Sequence, residues 1–370
     1  MDKKFVMGIA AMAALTLVSC SSDDLDSFSD NSSKNEAISF DGYLGRSAVA
    51  VNGTRGSVET KETLKKNGFG VFGKYDAEDS KTTDPDFFKN QKVTCPGTKW
   101  TYTPLKYWPT NGHIDFLAYA PHKEGQELKP NTNSFDFTVE PEAANQIDLL
   151  WANAKGQIKT DFEGTTKEKV RFLFKHALSR LGYTVKLSGN YTSDNATFTL
   201  RKITLAGSPD GTKNAFYKKG TIDLSKKDAT GLWNAATSDD NKQYFTWFDA
   251  SYTVESSKSK HPTNSDGVDY SDKDYLFVIP QDFSLTTEGA DKLYVIVEYD
   301  VTYTSSHTTI TNKVYKKLPI KFEQGKAYML NLTIGLPIEF DIDVETVSGV
   351  EDWDKQPDTN IDSWDDISRK

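Results

Sequence analysis

The chain has 370 residues, of which 12% are aromatic and 26% charged, and a formal net charge of −9. That length suffices for more than one buried core, and the acidic balance of 53 Asp and Glu against 44 Lys and Arg is unsuited to neutralising phosphates, so no nucleic acid partner is expected. Two cysteines supply no disulfide framework, while 17 tyrosines and 21 phenylalanines favour strands.

Lys3 and Lys4 open the chain, and residues 5–18 are apolar. That run suits a signal-peptide core and falls short of the roughly 20 residues a spanning helix needs. It ends in Leu17-Val18-Ser19-Cys20, which is similar to a bacterial lipobox. Residues 1–19 therefore read as a lipoprotein signal peptide. Cys20 is expected to be the lipidation site, its sulfur taking diacylglycerol and its new amino group an acyl chain. Several chains on one residue make a stable membrane anchor, which one chain does not. Asp23, Asp24 and Asp26 resemble an acidic outer-surface export tag. Residues 20–36 are rich in Ser and Asp and read as a polar tether. With Cys20 acylated, Cys95 has no partner for an intramolecular disulfide.

From Ala37 onward the pattern has period two. Ile38, Phe40 and Leu44 share one face, with Gly42 at the intervening position. Residues 113–120 place Ile114, Phe116 and Ala118 on one face. Residues 293–303 do the same with Leu293, Val295, Val297, Tyr299 and Val301, and residues 328–336 with Tyr328, Leu330, Leu332, Ile334 and Leu336. Such alternation predicts half-buried strands. Ser208-Pro209-Asp210-Gly211 and Ser265-Asp266-Gly267 read as turns. Residues 167–181 fit a helix or a strand followed by a turn. Polar residues 153–168 follow an apolar strand at 147–151, and the domain break is placed there. The expected organisation is an N-terminal β-sandwich over 37–157, a C-terminal β-sandwich over 158–345, and an acidic tail over 346–370.

Few residues point to chemistry. Gly68, Gly70 and Gly73 match a dinucleotide fingerprint, yet Phe69 and Val71 look like the strand itself and no helix is expected after them. His113, His122, His176, His261 and His307 lack zinc spacing, and His176, beside Phe174 and Leu178, reads as a packed histidine. Asp266, Asp269, Asp272 and Asp274 have the composition of a calcium loop without its register, and a solvated loop is the preferred reading. Trp100, Tyr102, Tyr107 and Trp108 suit either a sandwich core or a sugar-stacking surface, with the core preferred. No catalytic, cofactor-binding or metal residues are assigned, and an enzyme is not expected.

Several phrases together resemble the Mfa-like fimbrillin family of type V pili, the surface fibres of gut and oral Gram-negative anaerobes. They are Ile38-Ser-Phe40, Gly68-Phe-Gly-Val-Phe72, Asn90-Gln-Lys-Val93, Trp100-Thr-Tyr-Thr-Pro104 and Lys106-Tyr-Trp-Pro109. Further on come Phe116-Leu-Ala-Tyr-Ala-Pro121, Gln146-Ile-Asp-Leu-Leu-Trp-Ala152, Phe174-Lys-His-Ala-Leu-Ser-Arg180, Ile279-Pro-Gln281 and Gly325-Lys-Ala-Tyr328. The resemblance implies an all-β chain of two tandem transthyretin-like β-sandwich domains after a lipoprotein signal peptide. It also implies a non-enzymatic pilin that starts as an outer membrane lipoprotein and ends in a cell-surface fimbrium. In such pilins an arginine-specific protease removes the lipidated N-terminal segment, and a strand of another subunit fills the vacated groove. Arg46 and Arg55 are the candidate cut sites. Two donor strands compete: the run with Ile338, Phe340, Ile342 and Val344, whose opening Ile338-Glu-Phe-Asp341 echoes Ile38-Ser-Phe-Asp41, and the tail with Val350 and Trp353. Partners are then other pilin subunits in a homo- or heteropolymer. The alternative is a surface lipoprotein or tip adhesin that takes a host glycan or protein.

Overall fold

The computed structural model describes residues 37–44, 59–78, 83–161, 169–254, 275–336 and 338–346. All of these belong to the unit that begins at Ala37. In chain order they form β1 Phe40–Leu44, α1 Lys61–Asn67, β2 Phe69–Asp76, β3 Thr83–Val93, β4 His113–Ala120, β5 Ser134–Thr138, β6 Leu150–Gln157 and β7 Val170–His176. Then follow β8 Ser179–Leu187, β9 Ala196–Ala206, β10 Phe216–Tyr217, β11 Lys219–Asp223, β12 Trp233–Ala235, β13 Lys242–Gln243 and β14 Phe245–Thr253. The last are β15 Leu276–Val278, β16 Gln281–Asp282, β17 Tyr294–Tyr303, β18 Thr308–Lys317, β19 Lys321–Phe322, β20 Ala327–Gly335 and β21 Glu339–Thr346. The architecture is all-β, as the alternation predicts, and β4, β17 and β20 stand where the period-two runs lie.

Six strands make one sheet in the order β1-β7-β6-β4-β2-β3. Its central strand departs from the half-buried expectation. Ile114, Phe116 and Ala118 enter one hydrophobic cluster with Ile38, Phe40, Phe88 and Phe172, while Leu117 and Tyr119 enter the larger one. A strand covered on both faces needs apolar residues at both parities, and His113–Ala120 supplies them in its second half. The two edges approach each other, because the Phe40 ring on β1 lies 5.4 Å from that of Phe88 on β3. The sheet therefore curls around its inner cluster.

Two four-stranded sheets, β14-β9-β17-β18 and β15-β8-β20-β21, enclose much of the larger cluster. Tyr183 on β8 packs on Trp247 on β14 with ring centroids 4.7 Å apart, and the Tyr299 hydroxyl on β17 donates to the Gly335 carbonyl on β20 at 3.5 Å. These contacts hold the sheets face to face. A third sheet, β12-β11-β5, ties the early strand β5 to β11.

Residues 170–187 settle as strand, turn and strand. Val170, Phe172, Phe174 and His176 are buried while Arg171, Leu173 and Lys175 are exposed, which is a strand period and not a helical one. The apolar run at 147–151 starts its strand only at Leu150, and Ile147 is exposed. β6 continues through Gln157, and β7 beyond it pairs with both β6 and β1. The Gly68–Gly73 stretch is preceded by a helix and is itself mostly strand: Gly68 ends α1 at φ 72° and β2 begins at Phe69. A pyrophosphate needs the opposite order, strand then helix N-terminus. The turn at 208–211 forms, with Gly211 donating to the Ser208 carbonyl at 3.0 Å. Cys95 is buried and unbridged.

Candidate functional site

β1 is a five-residue edge strand that lies parallel to β7, with Phe40 opposite Val170 and Leu44 opposite Phe174. Among the described residues, only one of its sides has a strand partner. Its hold on the protein comes from side chains. Ile38, Phe40 and Leu44 are each at most 2% exposed. Phe40 sits among four rings, those of Phe88, Tyr102, Phe116 and Phe172, with centroids 5.3 to 5.7 Å away. Aromatic pairs at such spacing add to the area they bury. The residues ahead of β1 are pinned too. Ile38 N–H donates to the Lys106 carbonyl at 2.8 Å, and the Tyr102 hydroxyl donates to the Ile38 carbonyl at 2.7 Å. Burying three large side chains is worth on the order of 5–9 kcal/mol. That is a substantial share of the roughly 5–15 kcal/mol that holds a whole domain folded.

Gly42 faces inward between Phe40 and Leu44. A Cβ there would lie 2.9 Å from Phe69 Cε1, 3.3 Å from Trp100 Cζ2 and 3.4 Å from Phe174 Cε2. Alternation places this position on the inner face, and the structure adds that a Cβ there would crowd the Phe69 ring. Outward on the same strand, Asp41 accepts from the Tyr43 hydroxyl at 2.7 Å.

The segment that begins at Glu59 is clasped to the fold. The Glu59 N–H donates to Asp148 Oδ2 at 2.8 Å, and His176 Nδ1 lies 2.9 Å from Asp148 Oδ1. Both Asp148 and His176 are buried, so His176 is packed as its apolar neighbours suggest. Thr60 and Thr63 form a reciprocal capping box at the start of α1. The Glu59 carboxylate accepts from Thr63 Oγ1 at 2.9 Å and from Asn67 Nδ2 at 2.8 Å. Neither α1 nor this clasp was read from the sequence. A Thr at the third helical position, in place of Glu or Gln, hides the usual signature.

Burial pushes the Glu59 carboxyl from 4.5 up to about 7, with the Asp148 charge adding to it. The sign follows from linkage. A carboxyl whose folded value is raised keeps its full contribution below pH 4.5, loses it progressively above that, and reaches its full cost above pH 7. Glu59→Gln is therefore expected to match the parent in stability near pH 4.5 and to exceed it by roughly 2–3 kcal/mol above about pH 8. Urea unfolding at the two pH values measures this. A difference between the proteins that does not change with pH rules it out.

At the other end of the chain, β21 pairs along its whole length with β20 and forms the edge of its sheet. Ile342 and Val344 are buried and Phe340 is half-buried, while Ile338 lies outside the strand with 57% exposure. Glu339, Asp341, Asp343 and Glu345 point outward, and Lys316 of β18 bonds to Asp341. Three of the four proposed donor residues thus sit on a strand of the folded chain. Cys20, Arg46, Arg55, Val350 and Trp353 lie outside the described residues, as do the Asp266, Asp269, Asp272 and Asp274 loop and the Ser265–Gly267 turn. Of the four clustered aromatics, Tyr102 and Trp108 are buried, Trp100 packs on Phe69 at 4.9 Å, and only Tyr107 is exposed. Tyr102 packs on Phe40 of β1, Trp100 lines the wall beside Gly42, and Trp108 packs on Phe116 of β4.

The family model described as fimbrillin-like matches residues 54–353. Fimbrium subunit Fim1C of Phocaeicola vulgatus is 27% identical over 383 residues, covering 95% of this chain and 97% of that one. A crystal structure of a fimbrial protein from Bacteroides vulgatus superposes with a TM-score of 0.59 at 20% identity, covering 84% of this chain and 99% of that chain. The structural likeness extends to the layered all-β fold, and the family match spans most of the described strands. On that match, this chain belongs to the fimbrillin-like family.

Proposed function

We propose that this chain is a structural subunit of a cell-surface fimbrium, made as an outer membrane lipoprotein and assembled by strand exchange after its N-terminal segment is cut away. The observation that carries the reading is β1. It is a short edge strand, held by one neighbour and by three buried side chains, and it stands directly before the stretch that contains Arg46 and Arg55. Cutting after Arg46 or Arg55 separates β1 from the rest of the chain. Loss of β1 leaves an apolar groove along β7 and an unpaired strand edge, both unfavourable in water. An incoming strand removes both costs at once: main-chain hydrogen bonds to β7 give affinity, and alternate side chains in the groove give register. The fimbrial relatives support the same reading, and the two hydrophobic clusters fit two sandwich units in tandem.

The lipid on Cys20 brings the precursor to the membrane, and cutting releases the subunit from it. Because the clasp at Glu59 lies beyond both arginines, the remainder keeps its anchor on Asp148 and His176. The test is the Arg46→Ala, Arg55→Ala double variant expressed in a fimbriated host. It is expected to accumulate as a palmitate-labelled full-length precursor and to give no high-molecular-weight ladder in unboiled gels. A normal ladder from the double variant rules out arginine cleavage as the trigger, and an unlabelled precursor rules out the lipid.

A further inference from the structure

The groove that holds β1 is not equally receptive along its length. Phe40 fills a socket of four rings, and Leu44 lies buried beyond it. Between them the wall closes. Phe69 packs on Phe174 at 5.2 Å and on Trp100 at 4.9 Å, and these three side chains come to 2.9–3.4 Å from where a Cβ on Gly42 would stand. Phe69 and Phe174 are themselves buried, so the rings have little room to recede. Moving them to admit a branched side chain is overpacking of a filled core.

We propose that the vacated groove selects its incoming strand by a glycine. The strand lies parallel to β7 and presents large apolar, aromatic, glycine and large apolar residues at four successive alternate positions. This inference rests on the strand-exchange reading and deepens it by naming the chemistry of the occupant. It also excludes one occupant. Residues 338–344 repeat the opening of β1, so Ile338 and Phe340 would enter the sockets of Ile38 and Phe40. Ile342 would then meet the closed wall, with a β-branched side chain where hydrogen barely fits. Sliding by one residue does not help, because it turns Glu339, Asp341 and Asp343 into the apolar groove. The pattern occurs in this chain at Ile38–Leu44 and nowhere else. Gly164 follows an aromatic residue at the right spacing, but Thr160 and Thr166 occupy its outer positions. Gly349 follows Val347 and precedes Glu351. Within this sequence no stretch outside β1 supplies the pattern, and the occupant is a strand of another subunit that carries it.

The experiment uses the full chain with one specific protease site engineered in place of residues 46–52, cut after folding. Three fluorescent peptides are titrated against it and read by anisotropy: residues 37–45, the same peptide with Gly42→Ile, and residues 337–345. The first is expected to displace β1 and bind, and the other two to bind at least about 30-fold more weakly. If all three bind alike, exchange stands and the glycine requirement falls. If the first peptide does not enter the cut chain, the exchange reading falls and takes the proposal with it.

Discussion

Phe40→Ala in the uncut chain is expected to lower stability by about 3–5 kcal/mol, the cost of removing a large ring from a packed core that cannot collapse around the gap. Four rings border Phe40 and they belong to β3, β4, β7 and the segment at Tyr102, so no single element can shift to close the cavity. The effect should concentrate on β1. In a chain cut between residues 45 and 58, the same change should speed departure of the freed strand by roughly two to three orders of magnitude, since about 1.4 kcal/mol corresponds to tenfold. Asp41→Ala, on the outward face of the same strand, serves as the control and should stay within about 0.5 kcal/mol. Urea unfolding of the uncut variants and dissociation of a labelled strand from the cut ones measure the two effects. A Phe40→Ala protein within 1 kcal/mol of the parent, a margin set by typical mutational effects, would mean that β1 is not anchored by this socket.

The second large effect concerns β21. Ile342 is buried and paired opposite Leu332 on β20. Ile342→Asp puts a charge into the larger hydrophobic cluster. A cost of roughly 3–5 kcal/mol is expected, enough to collapse the sandwich of which β21 is an edge. Asp343→Ala, one residue on and facing water, should melt like the parent. Circular dichroism with thermal melting distinguishes the cases. A native melt of Ile342→Asp together with lost polymerisation would instead assign residues 338–344 to the donor role. The collapsed melt moves any donor function of this chain beyond Val347. Truncation after Gly349 should then leave the melt unchanged, and its effect on the fimbrial ladder reads out the tail directly.

Much of the fold was legible because strand character is local. Ile38, Phe40 and Leu44 announce their burial by spacing alone, and so do Val295, Val297 and Tyr299 on β17. His113–Ala120 was placed to the residue, yet Leu117 and Tyr119 proved as buried as Ile114 and Phe116. Alternation reports which residues share a face and is silent on whether the second face is covered. Residues 167–181 were ambiguous for a related reason. Short apolar runs fit two periods, and only pairing of β7 with β6 and β1 selects one. α1 was missed because seven residues carry too little periodicity and its capping box uses Thr63 where the recognisable form has a carboxylate or amide.

The sequence by itself determined the strand class, the inward faces, the absence of a nucleotide loop at Gly68 and the family of this protein, because each depends on neighbours a few positions away. The tertiary structure alone decided that Phe40 faces Val170 in a parallel pair, that Gly42 abuts Phe69, Trp100 and Phe174, and that Glu59 is buried against Asp148. Those contacts join residues far apart in the chain. Which distant surfaces meet is settled by how whole sheets curl and pack, and no local pattern encodes that.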